Sequence, residues 1–105
     1  MNPESIEWNE QRARAMVGKR VLIGITRVTP HGKVIRQMFG TIASIDRQGV
    51  DIELEGAQAG QTTRLPPDLD SFHSAGPGDY LLWETGEILA DPDFVSAWTI
   101  REVTA

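Results

Sequence analysis

Few side chains in this chain have the type and spacing to carry a reaction. Asp70, Ser71 and His73 fall within four positions, and Ser71 and His73 share a side if the segment is extended. A serine nucleophile works because a fold aims a base at it. Adjacency in one loop does not supply that aim, so a solvated turn is expected. His31 and His73 are the only imidazoles. His31 sits in a tight Pro30-His31-Gly32 turn, and neither has a second histidine at ligand spacing. Asp68-Leu69-Asp70 and Asp91-Pro92-Asp93 could offer oxygens to a divalent cation. They lack the Gly-punctuated order of a calcium loop, and turn or capping chemistry is the expectation. Glu84 and Glu87 flank a hairpin tip, where both are solvated, whereas acid–base work needs a buried or coupled pair. Residues 56–60 hold two glycines but no Lys-Ser/Thr and no following helix, so they are not a phosphate loop. There are no cysteines, which excludes disulfides, thiolate metal sites and cysteine nucleophiles. The sequence therefore assigns no catalytic, cofactor-binding or metal-ligating residue, and no cofactor.

Aromatic residues are the remaining chemical signal. Three tryptophans, Trp8, Trp83 and Trp98, are many for 105 residues. Trp and Tyr are enriched where proteins grip one another. Strand alternation turns Trp83 away from Leu82, so one of the two leaves the core. The expectation is two core tryptophans and one interfacial, with Trp83 the candidate. The candidate protein interface is Trp83, Tyr80, Trp98 and Trp8.

Charge narrows the partners. The chain carries fifteen acids and ten bases, a net of −5. Nucleic-acid binders draw most of their affinity from neutralising phosphates, so this balance counts against them. The distribution is uneven. Residues 1–50 hold eight bases and four acids, a net of +4; residues 51–105 hold two bases and eleven acids, a net of −9. If these halves become faces, they favour self-association or a basic partner. A single-stranded nucleic-acid reading, kept as the alternative, uses Arg20, Arg27, Lys33, Arg36 and Arg47.

These side chains need elements to position them. At 105 residues the chain makes one domain, 1–105, with 40% hydrophobic and 24% charged residues, as in ordinary globular proteins. A helix is predicted over 3–17: Asn2 can cap it, Pro3 suits its first position and Gly18 stops it. Its apolar face is thin, so it is expected to act as a lid. From residue 19 the period becomes two. Strands are predicted over 19–29, 34–45, 50–55 and 61–65, with turns at 29–32 and 46–49. Gly40 marks a sharp bend. In Val50-Asp51-Ile52-Glu53-Leu54-Glu55, three aliphatics alternate inward against three acids. Pro66 and Pro67 stop pairing, and 68–74 make one helical turn placing Leu69 and Phe72 beneath the sheet. Residues 79–84 and 87–90 form a hairpin about Thr85-Gly86, and 94–103 give a last strand. The expected core is Val21, Ile23, Ile25, Phe39, Ile42, Ile45, Val50, Ile52, Leu54, Leu65, Leu82, Ile88 and Ile100.

Phe39-Gly40-Thr41-Ile42-Ala43-Ser44-Ile45-Asp46 followed by Gly49-Val50-Asp51-Ile52-Glu53-Leu54 resembles the first motif of Sm-type barrels. That resemblance implies a helix before a strongly bent sheet, and RNA contact in the loop after the second strand. Asp51 stands where the family would place an Asn, and no Arg-Gly pair supplies the second motif. Leu65-Pro66-Pro67-Asp68-Leu69, Pro77-Gly78-Asp79-Tyr80-Leu81-Leu82, Thr85-Gly86-Glu87, Asp91-Pro92-Asp93-Phe94 and Trp98 resemble a family of small uncharacterised bacterial proteins. This likeness implies a bacterial single domain and brings no activity or cofactor.

The expected fold is mainly β: a small SH3/Sm-like antiparallel barrel with an N-terminal helix and a C-terminal hairpin extension. The expected function is a non-enzymatic protein-binding or assembly module, with self-association, as a homodimer, through an unpaired strand edge. The alternatives are Sm-like nucleic-acid binding, and a small-ligand barrel or hydrolase using a pocket beside residues 66–78. Residues 1–10 are acidic without an apolar stretch, and the longest apolar run, 21–25, is too short to span a bilayer. A cytoplasmic protein with no membrane contact is expected.

Overall fold

A computed structural model describes residues 9–101. Helix α1 spans Glu10–Met16. Asn9 caps it, its side-chain oxygen accepting the Arg12 N–H at 2.9 Å, with Glu10 in the first turn and Arg14 in the last. The predicted helix over 3–17 is interrupted at Asn9, which is extended (φ −103°, ψ 94°) and caps α1 with its own side chain. The Asn2 cap, Pro3 and Trp8 lie outside the described residues. Ala13 and Met16 are buried beneath α1, the thin lid that the spacing predicts. Gly18, at φ +89°, lets the chain turn out of the helix into the sheet.

Strands β1 (Arg20–Thr29), β2 (Gly32–Asp46), β3 (Gly49–Leu54) and β4 (Thr62–Leu65) form an antiparallel run. Side chains fix the turns. Thr29 Oγ1 accepts the His31 N–H at 3.1 Å and donates to the Gly32 carbonyl at 3.1 Å. Asp46 Oδ1 accepts from the Gln48 and Gly49 N–H groups at 2.7 and 3.1 Å. The bend in β2 has two causes. A Cβ at Gly40 would collide with the Glu53 carbonyl, so only glycine lets β3 approach there. Between Ile42 and Ser44 the register shifts in a bulge.

After β4 come β5 (His73–Ser74), β6 (Asp79–Leu81), β7 (Ile88–Ala90) and β8 (Phe94–Arg101). The main sheet has the order β4-β3-β2-β1-β8-β5, and β6 and β7 pair in a sheet of their own. Three expectations change. The sheet is mixed, because β8 runs parallel to β1. It does not close by hydrogen bonding: β4 and β5 remain its edges. The hairpin is an insertion between β5 and β8, not a C-terminal extension. The reason lies at Pro66 and Pro67. They end β4 after four residues, and the chain passes through the 3-10 turn Leu69–Ser71. Leu69 and Phe72, buried as expected, join β4's Leu65 in the core, with Phe94 and Trp98 of β8 packed against it. Side chains, not backbone bonds, line the gap.

The two faces of β1–β2 carry two cores. Val21 and Ile23 of β1 and Ile42 of β2 face the large one, with Val50, Ile52, Leu54, Leu65, Leu69, Phe72 and the α1 residues. Phe39 on the opposite face joins Leu82 and Leu89 of the hairpin, with Leu22 packed against them. Most of the expected core is buried; Ile25 and Ile45 are half-buried. Ile88 and Ile100 are corrections. Ile88 is 64% exposed because the hairpin turns Leu89 inward in its place. Ile100 pairs with Arg27 where β1 and β8 run past the core.

Candidate functional site

The hairpin is the part of the molecule whose polar groups are spent on holding apolar groups outward. Leu82 and Leu89 face inward, each about 1% exposed. Leu81 and Ile88 are register partners and so share the outer face. Leu81 is 62% exposed, and Trp83, which opens the turn, is 60% exposed.

Hydrogen bonds strap both ends of this surface down. At the tip, Leu82 donates its N–H to the Glu87 carbonyl at 2.8 Å, and Gly86 donates to the Leu82 carbonyl at 2.7 Å. Trp83 donates its N–H to Gln37 Oε1 at 2.8 Å, and Gln37 returns its own N–H to Glu84 Oε1 at 3.1 Å. Glu84 Oε2 also meets Arg36 Nε at 2.8 Å. Glu87 accepts the Thr85 hydroxyl at 2.8 Å and the Ala57 N–H at 3.0 Å. At the base, Asp91 accepts the Gly78 N–H at 2.8 Å from a left-handed backbone (φ +48°) and donates its own N–H to the Gly78 carbonyl at 2.9 Å. Tyr80, half-buried, donates its hydroxyl to the Gly76 carbonyl at 2.7 Å. A surface held this way loses little conformational freedom when it is covered.

The four interface candidates do not come together. Trp83 stands on the exposed tip and Tyr80 at the hairpin base. Trp98 lies on the opposite side of the sheet, half-buried in an edge-on contact with Phe72 at 6.2 Å between centroids. Trp8 lies outside the described residues. Leu81 and Ile88 are the additions that residue types did not single out. The dipeptides Leu81-Leu82 and Ile88-Leu89 offer two apolar faces offset by one residue, and alternation alone does not say which one is covered.

The remaining chemical candidates take structural partners. Ser71 donates its hydroxyl to Asp68 at 2.8 Å, not to His73. Asp70 accepts from Arg12 at 2.7 Å. Asp93 accepts the Arg20 N–H at 2.9 Å, so both aspartates of Asp91-Pro92-Asp93 hold backbone donors. Among the described residues, no group of three or more His, Asp or Glu could hold a metal ion. No described helix is long and apolar enough to cross a membrane.

The basic candidates are dispersed. Arg20 faces Glu55 at 3.5 Å, and Arg36 is held by Glu84. Arg27 and Lys33 lie at the β1–β2 turn end, while Arg47 lies at the opposite end of β2. Asp51 is engaged by its cross-strand partner Arg64 at 2.8 and 3.1 Å and by Ser44 at 3.1 Å. The Arg64 hydrogen bonds, then Ser44, hold its carboxyl below the usual carboxylate range, and Asp51 in turn raises Arg64.

A 350 Å³ cavity opens where β4 stops short of β8, lined by Ile25, Leu65, Pro66 and Trp98 among others. The Trp98 indole N–H is buried without a hydrogen-bond partner among the described residues. The groove touching His73 is smaller, about 240 Å³, and lies over Gly24 and Ala97.

No family model, curated protein or solved structure matches the chain.

Proposed function

We propose that the protein is a non-enzymatic binding or assembly module that grips another protein, or itself, with the outer face of its β6–β7 hairpin. One observation carries this reading: Leu81, Trp83 and Ile88 are each at least 60% exposed on a hairpin strapped at both ends. Apolar groups on a rigid support are the composition of an interface centre. The rim is polar, with Glu84 and Arg36 beside the tip. The nucleic-acid alternative is weaker: Arg20 and Arg36 already face carboxylates, and the five cations are spread over both ends of β2. We read the bent β1–β4 sheet as an SH3/Sm-like wrap, on the strength of the Gly40 approach and the bulge after Ile42. The family resemblance suggests a bacterial cytoplasmic setting.

The test is affinity capture from the native host with wild-type and Trp83→Ala baits at equal loading. At least one protein, or an untagged copy of the chain, is retained by the wild type and lost by the variant. Identical retained sets would remove the hairpin from the reading.

The small-ligand reading draws on one observation, the cavity beside Trp98 with its buried indole N–H. Ligand entry there would shift Trp98 emission in a Trp8→Phe, Trp83→Phe background.

A further inference from the structure

We propose that a second copy of this chain pairs with the free edge of β2, antiparallel about a two-fold axis at Val34. This rests on the assembly reading above and names its partner and register. Along an antiparallel strand, alternate residues turn both backbone groups to the same side. In β2 the Phe39 carbonyl accepts from Glu55 N, and the Gln37 N–H goes to Glu84. Both point away from β1. Lys33 and Ile35 continue that series, and the pairing with β3 reaches back only to Gly40. Among the described residues, no strand meets the outward backbone groups of Lys33 and Ile35.

The edge selects its own register. A two-fold axis at Ile35 would set Lys33 against Gln37, whose N–H Glu84 already takes. An axis at Val34 sets Lys33 of each copy against Ile35 of the other. That arrangement makes four backbone hydrogen bonds and draws on no group already bonded. Val34 then meets Val34 of the second copy, and the exposed Val34 and Ile35, 48% and 45% open, become covered.

The length of the open stretch favours a copy over a longer strand: it runs only from the turn at Gly32 to Gln37, whose N–H is taken, and its twin offers a stretch of the same length. Continuing the register, the Pro30-His31 turn of one copy comes against Gln37, Trp83 and Glu84 of the other. Trp83 then closes over the turn of the second copy.

Sedimentation velocity over a concentration series tests the pairing in the full chain. The wild type is expected to move from 11.6 kDa towards twice that mass, and Ile35→Pro, which deletes one edge N–H, to stay at the smaller mass. Where Ile35→Pro fails to fold, Val34→Lys reads the same edge. The chain has no cysteines, so single thiols report register. Val34→Cys oxidised with diamide is expected to form a covalent dimer at least about tenfold faster than Lys33→Cys or Ile35→Cys, whose thiols face a different residue of the second copy. A monomer at every concentration, or equal rates for the three thiols, overturns the pairing. If a different protein is then still released by Trp83→Ala, only the pairing falls. If Trp83→Ala changes neither assay, the assembly reading falls with it.

Discussion

The wrapped sheet and the inserted hairpin handle the same residue types in opposite ways. In the sheet, Val50, Ile52 and Leu54 all turn inward, while Asp51 and Glu55 are spent on neighbouring strands. In the hairpin, only Leu82 and Leu89 turn inward; Leu81, Trp83 and Ile88 turn out. The sheet has a helix, a crossing segment and β8 to cover its inner face. The hairpin has two strands of three residues and one small contact on Phe39 and Leu22. Two strands have two faces, and a hairpin docked on one leaves the other uncovered. The lesson is that apolar residues here report two jobs, and the number of layers packed on an element decides which.

Substitutions can break this contrast. Ile52→Ala, in the centre of the larger core, is expected to cost about 4 kcal/mol and to lower the melting temperature of the whole chain. Leu82→Ala is expected to cost about 2 kcal/mol, since the smaller cluster can settle inward. Its signature is local: amide exchange at residues 79–90 accelerates before that of β1–β3. Equal acceleration everywhere would mean that the two regions form one cooperative unit. Trp83→Ala is expected to change stability by less than about 0.5 kcal/mol, because its side chain is exposed, while weakening partner binding about tenfold or more. A large loss of stability instead would place the indole in the packing of the hairpin.

The smallest effect belongs to the sheet's outer surface. Asp51 has its pKa lowered by Arg64, so its contribution is present above the unfolded-state value and is lost as pH falls through the folded one. Asp51→Asn should therefore lower the denaturation midpoint slightly at pH 7 and flatten its fall below about pH 4, the two proteins converging in acid. An unchanged acid limb would show that the cross-strand pair is no stronger in the folded chain than elsewhere.

Much of the fold was legible because local chemistry and tertiary context agree. Gly18, Gly40, Asp46 and Pro66-Pro67 act where their backbone preferences put them. The faultless alternation of 50–55 has one solution, since a one-residue slip would bury three acids. The same logic fails at Leu81-Leu82 and Ile88-Leu89, where either register buries aliphatics, and so Ile88 was misplaced. Ile100 carries no local sign that its strand runs past the core. Of the candidate site, the outward turn of Trp83 was readable from Leu82; its tie to Gln37, 46 positions away, was not.

By itself the sequence determined a mainly β chain, its turn positions and its inward residues on β3. Tertiary structure alone decided that β8 enters parallel to β1, that side chains rather than backbone bonds line the gap between β4 and β8, and that Leu81, Trp83 and Ile88 are left exposed. The reason is range. Turn and alternation preferences act over a few residues, whereas strand order and uncovered faces depend on which distant segment arrives first to bury a surface.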